Sequence, residues 1–367
     1  PSRRGFFRPD SFSTPKPDDE FRIFCLGGST VQGRPFGIET SFTTWLELSL
    51  QTADATRQWE VVNCGGVSYA SYRLVPILEE VLAYQPDLIV LYTGHNEFLE
   101  DRTYHHIKRI PKIIARPCRV LAQTRTYNLL QQVCVRPKDA DRQTDASRRP
   151  TLRTEVDAIL EYEGGLARYR RDEGWQREVI EHYRYNLRRM IEICHDAKVD
   201  LILVNPVANL RDSPPFKNQH RDGLSPQELG HWESHIARAA QLQATNMHQA
   251  TLALEEALAV DDRHAGAHYL AAKCYDAVGD YDRARRSYIR AKDEDICPLR
   301  ILEPMNRAVL DLARQTGTTL VDARAVFDAA SDAHIPGGVL LVDHVHPSFA
   351  GHRLIAQSLF AELARQG

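Results

Sequence analysis

Residues Phe21-Arg-Ile-Phe-Cys-Leu26 form a short apolar run that stops at Gly27-Gly28. A run of this length, closed by glycine, reads as a buried strand. The pattern recurs along the chain. Glu60-Val-Val-Asn63 and Asp87-Leu-Ile-Val-Leu-Tyr92 each end in a glycine-containing turn, Asp200-Leu-Ile-Leu-Val-Asn205 follows, and Thr319-Leu-Val-Asp322 comes last. Between them lie segments of helical spacing: Tyr72 to Tyr84, with Leu74, Ile77, Leu78, Val81 and Leu82 in phase, then Trp175 to His195, and the closing Phe349 to Arg365. Apolar strands alternating with helices predict an α/β fold with a parallel sheet covered on both faces. Ligands of such sheets sit at the carboxyl ends of the strands. The polar turns after Leu26, Val62 and Tyr92 all fall there.

Composition narrows the choice further. The chain has 367 residues, more than one simple domain of about 150. It is 43% hydrophobic and 26% charged, a balance able to fill a substantial core. No run reaches the roughly 18–20 apolar residues of a membrane span. Forty-six basic and forty-nine acidic side chains leave a formal charge of −3, which gives no chain-wide footprint for nucleic acid. The seven cysteines (25, 64, 118, 134, 194, 274, 297) contain no Cys-x-x-Cys pair, so free thiols fit better than a disulfide framework or structural zinc. The sequence opens at Pro1 rather than Met. A preceding segment carrying a signal peptide or anchor is therefore compatible with it, and no compartment is assigned.

Two segments break the strand–helix rhythm. Residues 102–153 carry thirteen Lys and Arg against three Asp, interrupted by Pro111, Pro117, Pro137 and Pro150. Such a stretch is expected to be a solvated insertion. Its interleaved Ile and Val also allow a cover that attracts an anionic ligand or a membrane surface. The second segment, 226–297, is Ala-rich and helical. Ala267, Leu270, Ala271 and Tyr275 precede Gly279-Asp280-Tyr281, then Ala284, Tyr288 and Ala291 follow, with Pro298 after them. This order resembles a tetratricopeptide repeat of 34 residues. Thirty-four positions earlier stand Ala250, Leu254 and Ala257, a second and poorer copy. So short an array must pack against its host, and a protein partner is the ligand such repeats suggest.

Gly27-Gly28-Ser29-Thr30 places a hydroxyl directly after the first strand. Val31 stands where a Gly-x-Ser-x-Gly nucleophile elbow needs glycine. Arg34-Pro35 stands where a phosphate loop needs Lys-Ser/Thr after Gly28 and Gly33. Asn63-Cys64-Gly65 ends the second strand, Gly94-His95-Asn96-Glu97 ends the third, and Asp343-His344-Val345-His346-Pro347 lies near the C-terminus. Asp343, His344 and His346 have metal-ligand chemistry as an alternative, as does His105-His106 in the basic segment. Neither spacing calls for a metal or cofactor.

In their order, Ser, Asn-x-Gly, Gly-x-Asn and Asp-x-x-His, these blocks resemble the SGNH (GDSL-type) hydrolase superfamily, over roughly 20–100, 176–210 and 300–367. The resemblance implies a three-layer α/β/α sandwich, flavodoxin-like, around a parallel sheet. With it the chain divides into a core over 1–100, 176–225 and 298–367, a basic insertion over 101–175 and a helical insertion over 226–297. By position, Ser29 is the implied nucleophile, His346 its base and Asp343 the partner that orients the imidazole. The N–H groups of Ser29 and Gly65 and the amide of Asn96 are the implied oxyanion donors. Gly28 and Thr30 depart from the family's Asp and Leu. Arg73, His95 and Arg300 lie beside these blocks as candidate contacts to a carboxylate or phosphate of the substrate. The implied activity is hydrolysis of a small-molecule, glycan or lipid acyl ester. Acyl transfer to a sugar or other alcohol, or an inactive scaffold bearing the repeat, are the alternatives.

Overall fold

In the computed structural model, which describes residues 10–100 and 165–366, the five apolar runs form one sheet. β1 (Glu20–Gly27), β2 (Gln58–Gly65), β3 (Leu88–Tyr92), β4 (Asp200–Val204) and β5 (Thr319–Val321) are all parallel, in the order β2-β1-β3-β4-β5. Ile23 of β1 pairs with Val61 on one side and Leu88 on the other. The helices of the sheet domain are α1 (Ser29–Gln32), α2 (Phe42–Ala53), α3 (Ser71–Val81), α4 (Glu173–Ala197), α9 (Glu303–Thr316), α10 (Ala323–Ala330) and α11 (Phe349–Gln366). Between α4 and α9 come α5 (Pro226–Leu242), α6 (Met247–Val260), α7 (Ala265–Ala277) and α8 (Tyr281–Asp293).

Successive strand residues point to opposite faces, and each face has its own core. Phe24, Leu26, Ile89, Leu91, Leu201 and Leu203 pack with residues of α3, α4 and α9, among them Leu78, Tyr183, Met190 and Val309. Ile23, Cys25, Val90 and Ile202 pack on the other face with Phe42 and Leu46 of α2, Phe327 of α10 and Ile355 of α11. The result is the expected three-layer arrangement. One bond ties the ends of the chain together: Phe42 N–H donates to Nδ1 of the fully buried His352 at 3.2 Å. Because β1 is followed by β2 on one side and β3 on the other, the strand order reverses between β1 and β3. The crevice at their carboxyl ends is where such sheets bind ligands.

The second segment folds as four helices packed in succession, α5 on α6, α6 on α7 and α7 on α8. Each opens on a side chain that accepts an otherwise unpaired backbone N–H: Ser225, Asn246, His264 and Asp280. Ala250, Leu254 and Ala257 are buried, as are Ala284, Tyr288 and Ala291. Leu210 and Ile335 of the sheet domain enter the same core. Arg211 pairs with Asp276 at 2.9 Å, and Arg285 pairs with Asp328. Most of the basic insertion, with His105, His106, Cys118 and Cys134, lies outside the described residues. Cys25, Cys64, Cys194, Cys274 and Cys297 are free thiols. Among the described residues no helix is long and apolar enough to cross a membrane.

Candidate active site

Ser29 is the first residue of α1, turned out at the carboxyl end of β1, and is 8% exposed. Asp343 and His346 belong to the turn that precedes α11. His346 Nε2 lies 2.7 Å from Ser29 Oγ, and His346 Nδ1 lies 2.6 Å from Asp343 Oδ2. An ionised carboxylate only accepts, so Nδ1 carries the ring proton and Nε2 is left to accept from the serine hydroxyl. Asp343 Oδ1 also accepts the N–H groups of Val345 (2.9 Å) and His346 (2.8 Å). Partial burial pushes the Asp343 carboxyl up, but the bonds from the His346 side chain and these two amides outweigh it. Asp343 is held well below the usual carboxylate range and stays charged.

Asn96 follows β3 across the crevice. Its Nδ2 donates to Tyr69 C=O at 3.1 Å and stands over Gly28, where an added Cβ would come within 2.7 Å of it. An amide nitrogen carries two hydrogens; the bond to Tyr69 uses one of them. Glycine at position 28 thus leaves room for Asn96 beside Ser29.

Gly65, the other expected backbone donor, is engaged elsewhere. Its N–H donates to Asn63 Oδ1 at 3.0 Å and is committed inside its own turn. The glycine serves a close approach instead, since a Cβ would fall 2.2 Å from the backbone nitrogen of Gln32 in α1. Asn63 completes the brace: Nδ2 donates to Val31 C=O (2.7 Å) and Thr43 Oγ1 (2.9 Å), joining β2 to α1 and α2.

The three candidate substrate contacts are each engaged within the protein. Arg73 is buried and forms a two-pronged ion pair with Glu100, Nε to Oε2 at 2.8 Å and Nη2 to Oε1 at 2.5 Å. His95 is buried below the Asp343–His346 turn, and its Nδ1 accepts from Ile301 N–H at 3.2 Å. Burial first, then the nearby His344 and His346, push it down to about 3, so it is neutral and offers no charge to an anion. Arg300, 2% exposed, donates through Nη1 to Asn209 C=O (3.0 Å) and Ser213 C=O (2.7 Å). His344 packs edge-on against Phe216, with ring centroids 5.1 Å apart, and burial pushes it down to about 4. Among the described residues no three His, Cys, Asp or Glu side chains are grouped to hold a metal ion.

Asn209 is the residue at this edge that sequence spacing misses. Its N–H donates to His344 C=O at 3.0 Å and its Nδ2 to Asp343 C=O at 3.1 Å. The signal is Asn205-Pro206-Val207-Ala208-Asn209, a fourth polar turn at the carboxyl end of a strand.

No family model matches the sequence, and no curated protein matches it. Solved structures similar to the chain include an acetyl xylan esterase, at 12% identity over 93% of this chain and 98% of that one, with a TM-score of 0.41. An acetylxylan esterase from Geobacillus stearothermophilus is similar at 15% identity over 96% of each chain, with a TM-score of 0.41. An α/β hydrolase from the metagenome of Lake Arreo, Spain, is similar at 12% identity over 95% of this chain and 96% of that one, with a TM-score of 0.42.

Proposed function

We propose that the protein is a serine-dependent ester hydrolase of SGNH type, working through Ser29, His346 and Asp343. The observation that carries the proposal is His346, hydrogen-bonded through one ring nitrogen to Ser29 Oγ at 2.7 Å and through the other to Asp343 at 2.6 Å. A serine hydroxyl is a weak nucleophile until an adjacent base removes its proton. As Ser29 Oγ attacks the acyl carbon, its proton passes to His346 Nε2, and charged Asp343 stabilises the imidazolium that forms. The carbonyl oxygen becomes an oxyanion, with the Ser29 N–H and the Asn96 amide as its donors. Collapse breaks the ester C–O bond, and the departing alcohol takes the proton from His346. Water then attacks the acyl-enzyme, His346 accepts its proton, and the carboxylic acid leaves as Ser29 Oγ is reprotonated.

The helical insert fits a repeat module that docks a protein partner. Support for the repeat is the burial of equivalent positions 34 residues apart and the host residues that close its core.

The decisive test is labelling with a fluorophosphonate probe, followed by peptide mapping. Modification at Ser29, abolished in Ser29→Ala, is the expected result. No labelling and no turnover of any acyl ester would sink the enzyme and leave a scaffold that carries the repeat. Turnover measured with and without added alcohols separates hydrolysis from transfer.

A further inference from the structure

We infer that Asn209, clasped by Arg300 where the helical insert leaves and rejoins the sheet domain, is the positioning residue of the Asp343–His346 turn. The inference rests on the triad proposed above and names what aims it.

Asn209 is 2% exposed, and its backbone and side chain are both engaged. Its N–H and Nδ2 hold two successive carbonyls, those of His344 and Asp343. Its Oδ1 accepts from Asp212 N–H at 2.9 Å, and its own C=O accepts from Arg300 Nη1 at 3.0 Å. The bonds within the catalytic turn, from Val345, His346 and His346 Nδ1 to Asp343 and from Val342 N–H to His346 C=O (2.9 Å), fix its shape. They do not fix where that shape sits relative to Ser29. Asn209 supplies that restraint from the neighbouring strand end.

Arg300 ties this restraint to the insert. It lies on the returning stem, bridges Asn209 and Ser213 on the outgoing one, and sits 3.6 Å from the buried Asp295 carboxylate. Asp295 in turn accepts the N–H groups of Phe216 (2.7 Å), Lys217 (3.0 Å) and Cys297 (3.0 Å). Both stems are therefore stapled together next to the carbonyls that carry the base. A misplacement of about 1 Å in a reacting group can cost about 100-fold in rate, so this staple bears directly on turnover.

The test compares Asn209→Ala and Arg300→Lys with the parent chain, by kinetics on a small activated ester and by NMR titration of histidine-labelled protein. Asp343, His344, His95 and His352 are the titratable groups around the His346 ring, with the charges of Arg300 acting on His344 and of Lys292 on His95; Asn209→Ala leaves all of these in place and Arg300→Lys keeps the positive charge. Asn209→Ala should lower kcat about 10- to 100-fold with KM little changed. The acid limb of kcat/KM and the His346 resonances should both move to lower pH, because a loosened Asp343 favours the imidazolium less. Arg300→Lys should do the same to a smaller degree. A folded Asn209→Ala with a lowered Tm but unchanged kcat and unchanged His346 titration would overturn the inference. If Asn209→Ala does not fold, Arg300→Lys decides on the same readouts. Should the parent chain neither label nor turn over, the proposed function fails, and the His346 titration still decides the role of Asn209.

Discussion

Ser29 and His346 are 317 residues apart in sequence and 2.7 Å apart in space. Contact between such distant polar groups is held by the layers beneath them: β1 and α1 carry the serine, and α2 and α11, packed on the same face of the sheet, carry the histidine turn.

If the two act as one unit, Ser29→Ala and His346→Ala should each reduce kcat by about 10⁴-fold or more, and the double variant should lose little beyond either. Single-turnover assays on the three variants check this. Losses that multiply would separate the two residues.

Asn96→Ala should cost about 10²–10³-fold in kcat, the size expected for one oxyanion donor. Gly28→Ala should fall in the same direction, because its methyl would lie 2.7 Å from Asn96 Nδ2 and displace it. In Asn96→Ala the Gly28→Ala change should matter far less. A Gly28→Ala effect independent of Asn96 would point to strain in the serine turn instead.

Acid should act on rate and on stability by different routes. Ser29 can give its proton only to a neutral imidazole, so kcat/KM should fall as His346 becomes protonated. His95, His344 and His352 are pushed down to about 3, 4 and 4, chiefly by burial, so above about pH 4 they stay neutral. The same three contribute to stability, with His182 and His264, pushed down to about 4 chiefly by burial, in the same sense and Glu60 and Glu97, pushed up to about 7, in the opposite sense. Unfolded, the histidines take up protons near their ordinary value of about 6.5. The unfolded chain therefore binds more protons than the folded one between that value and about 4, and stability is lost as pH falls through this window. Tm should decline from pH 7 to 5. His352→Gln, which keeps an acceptor for Phe42 N–H, should flatten the decline. A Tm constant over this range would contradict the sign.

Arg73→Ala should lower stability, by up to about 3–5 kcal/mol, because it removes the two-pronged partner of the buried Glu100 carboxylate. Turnover of the folded variant should be unchanged. A raised KM with an unchanged Tm would restore Arg73 as a substrate contact.

The five strands are legible because each carries a short apolar run, deeply buried in the central strands, and the serine and amide blocks are legible because they punctuate strand ends. Other features are out of reach for definite reasons. The spacing Asn63-x-Gly65 says that a glycine ends β2, but not that its N–H turns back to Asn63. Arg73 and Glu100 are a buried pair that depends on how α3 meets the segment after β3, and charge alone makes Arg73 look available. Helices α2 and α9 leave periodic signals, Phe42, Leu46 and Leu50 in one and Met305, Val309 and Leu312 in the other. Asn209 ends a turn after the fourth strand, but that turn does not announce its partners, two carbonyls more than 130 residues further along.

The bond from Phe42 to His352 has a consequence in time. During synthesis the serine turn leaves the ribosome long before β4, β5 or the histidine turn exists, and α2 waits for the helix that will cover it. Through that interval Ser29 is a hydroxyl without a base, next to an open sheet edge. If Ser29 and His346 form the proposed pair, the unfinished chain is chemically silent toward esters until the last helix docks.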